Sequence, residues 1–521
     1  MITVTPIDLL HALPLMVIAL FTVVVVLADA FSPKEADRSF TGYLALAGII
    51  IAAGIDALMW AHSDTLGHPL FAGMAVHDRY AIFLNMVFYI GAAAVTLSAI
   101  GYFKEQRFHH GEFYALLLSS LLGLMLLSMA TDLLMMFVAL ELTSITVYVL
   151  AGFMRHRLQS AEAALKYFLM GAFASAFMLF GLALIYGETG DTGYFALSQH
   201  VRAFFHNTVI SDPQGNFISG HPAMLIGMLF VLIGFAFKAS LVPFHMWTPD
   251  AYTGAPTPST SYMSAGVKAG VFAALFRMFV GAMPDLYAVF PGWGDVLWTL
   301  AMLTMIIGNL LALTQDNIKR MLAYSSIAHA GYILVAMVAA GASIGTVDST
   351  NGAMLFYLLI YTLASVGAFA VVIRFGRYGD ENLLVSKGWG GIGYKDPLAG
   401  VAMVIFMLSF AGFPPTAGFV AKFYVFKTAV AAGFVDLAIV GVLTSLISVY
   451  YYARVIVFMY MKPQPQEGYT GFTLALPVAI VVAISAICVI ALGILPGSAL
   501  SLADAGMHDF FTQNWLSEFT P

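Results

Sequence analysis

Six side chains in this sequence could carry a proton where charge is costly to keep. Glu141 lies midway along the apolar run TDLLMMFVALELTSITVYVL, and Lys268 is similarly deep in SYMSAGVKAGVFAALF. Lys238 and Lys422 adjoin the proline-containing stretches GFAFKASLVPFHMWTPD and LSFAGFPPTAGFVAKFY. Lys166 follows Glu162 by one helical turn, and His329 in MLAYSSIAHAGYILV has Ser325 and Ser326 one turn before it on the same face. A desolvated Lys can lose its proton near neutral pH while Arg cannot, and a nearby carboxylate favours the charged form. A Lys beside a Glu is therefore a tunable proton site, and a row of such residues is a relay. At a bilayer centre each charge costs roughly 2.5–3.5 kcal/mol on insertion scales, which argues for use.

Plainer readings stand beside this one. Glu141 and Lys238 could be a structural ion pair, and Lys166, near a helix end, could reach the membrane interface. His329 reads equally as a relay member or as a hydrogen-bonded core histidine, while His245 in PFHMW reads as structural. Arg277, Lys427 and Arg454 lie within reach of membrane faces and read as snorkelling or lipid-contacting residues.

The elements that must position these groups are membrane helices. Of 521 residues 61% are hydrophobic and 10% charged, against roughly 25% charged in a soluble domain. The mean hydropathy is +0.89. So little charge cannot cover a water-facing surface, and the class is an all-α polytopic membrane protein with the lipid bilayer as its solvent. A net charge of −6 without long basic runs gives no nucleic-acid partner. The single cysteine, Cys488, excludes a disulfide, a CxxC metal site or an iron–sulfur cluster built from this sequence alone. No Lys or Arg precedes the first apolar run, so it reads as a retained helix rather than a signal peptide.

At about 20 apolar residues per crossing, about fourteen spans are predicted: 7–29, 40–61, 79–103, 112–130, 131–153, 162–186, 222–246, 259–281, 292–314, 320–342, 351–373, 399–430, 433–460 and 472–495. The whole of 1–521 reads as one membrane domain, with a tight turn on Thr131 and Asp132 between the fourth and fifth spans and a polar loop over 187–221. Loops after odd-numbered spans hold most of the Lys and Arg, among them Lys34, Arg107, Lys319, Arg374, Arg377 and Lys387, and the other side holds only Arg79 and Arg202. By the positive-inside rule both termini face away from the cytoplasm.

The seventh and twelfth spans each carry Pro inside an apolar stretch and should break there. Paired broken helices in two halves point to an inverted-repeat transporter with its ion path near the midplane, although ordinary proline kinks would look the same. The segment GWGGIG at 388–393 is formally a dinucleotide fingerprint, but no strand precedes it and it is dismissed.

Long stretches of the sequence carry a family resemblance. FKASLVPFHMWTPDAYTGAPTPSTSYMSAGVKAGVFAALFR at 237–277, EAALKYFLMGAFASAFMLFG at 162–181, DNIKRMLAYSSIAHAGYILV at 316–335 and FPPTAGFVAKFYVF at 413–426 closely resemble the N-type antiporter-like subunits of bacterial proton-pumping NADH:quinone oxidoreductase, respiratory complex I. So does 112–153. The resemblance implies an antiporter-like fold with two inverted five-helix repeats, 112–281 and 292–460, after three helices in 1–111 and before a fourteenth helix at 472–495. It matches Glu141, Lys238, Lys268 and Lys422 to the family's hydrophilic axis and Lys166 to a sixth-helix lysine. It also implies no cofactor in this chain, with FMN, iron–sulfur clusters and quinone in partner subunits. The expected neighbours are membrane subunits of the K, M, J and A types, in a bacterial inner membrane. The alternative is a subunit of an Mrp-type cation/proton antiporter.

Overall fold

The computed structural model describes residues 5–33, 37–62, 66–106, 108, 110–211, 221–289, 291–344, 352–376, 384–463 and 475–512. Lys34, Arg107 and Arg377, used in the orientation argument, lie outside them. Among the described residues, twelve helices are long and apolar enough to cross a membrane. The seventh and twelfth spans are each assembled from two shorter pieces, Pro222–Lys238 with Trp247–Gly254 and Pro397–Ala411 with Ala417–Ala431. The described residues thus form the fourteen expected crossings, with ends shifted by a few residues.

Local chemistry fixes those ends. Asp132 accepts hydrogen bonds from the Leu134 and Met135 amides and starts the fifth span, Leu133–Ala151. Asn317 does the same for Lys319 and Arg320 at the start of the tenth, Ile318–Ala342. Asp78 caps the third, Arg79–Glu105, through the Ala81 amide. The eighth, tenth and eleventh spans, Thr257–Ala282, Ile318–Ala342 and Ala353–Phe375, are buried along almost their whole length. The first, second, sixth and thirteenth leave most of their surface outward. The charges of the tenth and eighth spans are therefore far from lipid.

Both breaks follow one design. The first half-helix ends, the next residues turn through a left-handed position (Ser240 at φ 62° and Gly412 at φ 86°), and side chains take the freed carbonyls. In the seventh span Trp247 Nε1 donates to Phe237 O at 2.9 Å. In the twelfth, Lys422 Nζ donates to Phe410 O at 2.8 Å and Ala411 O at 3.2 Å. In the eighth span a π-helical turn, Met263–Val267, immediately precedes Lys268.

Several expectations are corrected. The polar stretch after the sixth span contains a helix, Tyr194–Ser211, packed beneath the end of the eighth. A further helix, Gly497–Thr512, follows the fourteenth span. Arg277 neither snorkels nor meets lipid: its side chain is wholly buried and pairs with Asp78 at 2.8 Å. Arg454 is turned inward to the Leu313 and Gln315 carbonyls at the end of the ninth span. Lys319 is buried within the first turn of the tenth span and donates to Ala255 O at 2.6 Å, closing the second half of the seventh. Lys427 remains exposed, as expected.

Candidate functional site

Glu141 and Lys238 meet across the fifth and seventh spans, with Lys238 Nζ 3.6 Å from Glu141 Oε1. Each has a nearer neutral partner. Ser175 of the sixth span donates to Glu141 Oε1 at 2.6 Å. Lys238 donates to Ser144 Oγ at 2.6 Å and Tyr148 Oη at 2.9 Å, both on the fifth span. Gly171 makes this possible, because a Cβ there would fall 2.0 Å from the Tyr148 hydroxyl. The lysine is buried, while the Glu141 side chain keeps 24% exposure on an outward-facing part of its helix. The carboxylate thus sits between an internal cation and the edge of the subunit.

Lys268 lies deeper. It donates to the Ser326 carbonyl at 2.6 Å and the Ser326 hydroxyl at 2.5 Å, both on the tenth span. Ser325, next in line, bonds Tyr452, whose hydroxyl is 3.2 Å from His329 Nε2. His329 Nδ1 is 2.7 Å from Tyr357 Oη. Beside His329 is a cavity of about 10 Å³, lined in part by Tyr361, Ser409 and Phe410, which is the scale of one water. Ser409 Oγ has no hydrogen-bond partner among the described residues, so a water there would meet a waiting hydroxyl. Across the break of the twelfth span, Lys422 donates to Ser445 Oγ at 2.6 Å besides its two carbonyls and lies 4.9 Å from the Tyr332 ring centre. A Cβ on Gly412 would press on this side chain at 3.0 Å. Tyr332 in turn accepts from Asn309 at 3.1 Å, and Tyr451 donates to Asn309 Oδ1 at 2.9 Å.

Lys268, His329 and Lys422 thus share one buried polar seam along the tenth span, and Glu141 with Lys238 forms a second cluster. Among the described residues no carboxylate lies within ion-pair distance of Lys268 or Lys422, so their partners are hydroxyls and carbonyls that serve an ammonium or an amine alike. Lys166 stands apart. Half exposed, it bridges Glu162 at 2.7 Å and Asp250 at 3.0 Å, and Asp250 also holds Arg320 at 2.7 Å. This ties the start of the sixth span to the second half of the seventh and the start of the tenth. His245 is half-buried next to the break. Sequence reading missed Ser144, Tyr148, Ser175, Tyr357 and Tyr452, since Ser and Tyr in an apolar run look like ordinary packing residues.

Residues 130–448 match the family of membrane proteins described as NADH:quinone oxidoreductase/Mrp antiporter. The sequence is 44% identical to NADH-quinone oxidoreductase subunit N of Trichlorobacter lovleyi, over 94% of this chain and 95% of that one. It is 40% identical to the subunit N of Chloroflexus aggregans, over 97% and 98%. The fold is similar to a chain of respiratory complex I from Thermus thermophilus, with TM-score 0.75 and 34% identity over 94% of this chain and 99% of that one. A chain of the Mrp complex from Dietzia sp. DQ12-45-1b shares the fold alone, with TM-score 0.80 at 21% identity over 98% and 99%. With an antiporter-like fold and near full-length identity to these proteins, the chain belongs to the subunit N family of NADH-quinone oxidoreductases.

Proposed function

We propose that this chain carries protons along Glu141, Lys238, Lys268, His329 and Lys422 as a membrane subunit of a proton-pumping NADH:quinone oxidoreductase. Redox chemistry is assigned to partner subunits holding FMN, iron–sulfur clusters and quinone, and membrane subunits of the K, M, J and A types are its neighbours. The helices of 112–281 and 292–460 act as two repeats, each with one broken helix and its own lysines. Lys166 serves as a brace and a secondary point of entry. The likeness to the Mrp chain extends to the fold alone, so the antiporter alternative has less behind it.

The observation that carries this reading is the geometry of Lys238. Its ammonium lies 3.6 Å from Glu141 but is directly bonded to two neutral hydroxyls, while Ser175 competes for the same carboxylate oxygen. If Glu141 turns fully toward Ser175 or a neighbour at the exposed edge, the counter-charge is withdrawn. Lys238 keeps its hydrogen-bond partners as a neutral amine, and its proton is free to leave.

Replacing Lys238 by Arg separates a carrier from a fixed cation. A guanidinium preserves the charge but does not deprotonate in a protein. The Lys238→Arg complex should assemble yet lose most coupled quinone reduction and pumping, as Lys238→Ala does. An assembled Lys238→Arg complex that pumps normally would rule out obligatory deprotonation.

A further inference from the structure

Away from the lysine row, a pocket of about 620 Å³ lies between three helix ends at one membrane face. They are the start of the second span, Ser39–His62, the end of the third, Arg79–Glu105, and the start of the fourteenth, Leu476–Ile494. That volume falls within the roughly 300–1,000 Å³ of small-molecule sites. Ile100 and Leu476 give the pocket an apolar wall, and Tyr43, Lys104 and Glu105 bring polar groups to it. Gly101, in the same wall, lets the third and fourteenth spans touch, since a Cβ there would fall 2.6 Å from Val478 Cγ2.

Depth sets what can enter. The third span has 27 residues, which is about 40 Å at 1.5 Å per residue. The hydrocarbon core of a bilayer is only about 30 Å thick, so the last residues of this span, Lys104 and Glu105, stand at the level of lipid headgroups. An acyl chain from the bilayer can therefore lie along Ile100 and Leu476 while its headgroup reaches the two charges.

Charge narrows the choice of headgroup. Lys104 is exposed and Glu105 half-buried, and among the described residues neither makes an ion pair. Arg374, within electrostatic reach of Glu105, is paired with Asp396. Asp37, at the rim, accepts from the Ser39 hydroxyl at 2.6 Å and the Ser39 amide at 3.0 Å, which commits it to the start of the second span. The side chains left to meet a ligand are one cation and one anion beside a phenol, and their complement is a headgroup carrying both signs. Lys104 and Tyr43 can donate to a phosphate, and Glu105 can accept from a primary ammonium. An anionic headgroup would leave Glu105 facing a like charge, and a trimethylammonium has no N–H to give it.

We propose that this pocket binds one phospholipid with an ethanolamine headgroup, its phosphate at Lys104 and Tyr43 and its ammonium at Glu105. The proposal concerns lipid recognition alone and does not depend on whether the chain carries protons. To test it, the whole complex is reconstituted in vesicles of equal parts phosphatidylethanolamine, phosphatidylcholine and phosphatidylglycerol. Each batch carries a trace of one of the three with a diazirine near the ester end of an acyl chain, and adducts are mapped by peptide mass spectrometry after illumination. The ethanolamine probe should mark the segments around Ile100 and Leu476 several-fold more than either other probe. Lys104→Gln should lower that labelling several-fold. Glu105→Gln should abolish the preference, with the glycerol probe rising to match the ethanolamine one. Neither side chain has an ion pair to lose, so both variants should assemble, and the wild-type preference tests the proposal without them. Equal labelling by the three probes would make the pocket a place for ordinary annular lipid, and no labelling would mean that protein fills it. Either result overturns the proposal, as does a preference that persists in Glu105→Gln.

Discussion

Glu141 is shared between Ser175 and Lys238, and its side chain stays partly exposed at the edge of the bundle. Glu141→Gln is close to isosteric and retains an oxygen to accept from Ser175, so the local packing should survive. What disappears is the charge that steadies the Lys238 ammonium. The variant complex should assemble and pump a small fraction of the wild-type protons per NADH oxidised, measured by a pH-sensitive dye in vesicles. A wild-type ratio would remove Glu141 from the proton path. The contrast with Lys166 follows from surroundings alone. Its half-exposed double ion pair sits where solvent screens charge, and such surface pairs contribute little to stability.

Among elements, the eighth span ends in a charge that a helix-end position made ambiguous. Arg277 looks from sequence like a residue able to reach the interface, yet Asp78, the Ser128 carbonyl and the rings of Tyr80 and Phe510 enclose it. Phe510 belongs to the Gly497–Thr512 helix, and Asp509 of that helix accepts from the Arg79 amide at 2.9 Å. Asp504 likewise accepts from the Gly352 amide at 2.7 Å. This last helix therefore clamps the third, eighth and eleventh spans at one face. Removing one partner of such a buried pair costs about 3–5 kcal/mol, because the other charge is left bare. Arg277→Met should lower the melting temperature and yield of the assembled complex. Adding Asp78→Asn, which still caps the third span, should restore much of both. A single variant as stable as wild type would show that the pair is dispensable.

The same pair shows what sequence can and cannot reveal about such elements. Spans were legible because about 20 apolar residues are needed to cross, and breaks because Pro inside such a run removes a bond. Glu141, Lys238, Lys268 and Lys422 stood out because midspan charge is rare. Arg277, Lys319 and Arg454 were misread because enclosure by distant segments leaves no local trace. The helix over 497–512 is too short to read as a crossing, and the hydroxyls of Tyr148, Tyr357 and Tyr452 become partners only through packing.

For the whole molecule, the direction of proton movement depends on which face is which. Chain parity places the loop between the eleventh and twelfth spans opposite the hairpin between the second and third. Lys387 in the short helix Val385–Gly388 and His68 before the hairpin are both exposed. By the positive-inside rule, the surplus of Lys and Arg on the Lys387 side predicts a cytoplasmic position for that side. On that assignment His68 and the hairpin are expected at the outer face. Cysteines at 387 and 68 test this in a Cys488→Ser background, since Cys488 is the native thiol to be silenced. A membrane-impermeant maleimide added to intact cells should label Cys at 68 and spare Cys at 387, and inverted vesicles should reverse the pattern. Labelling at 387 from outside intact cells would invert the topology.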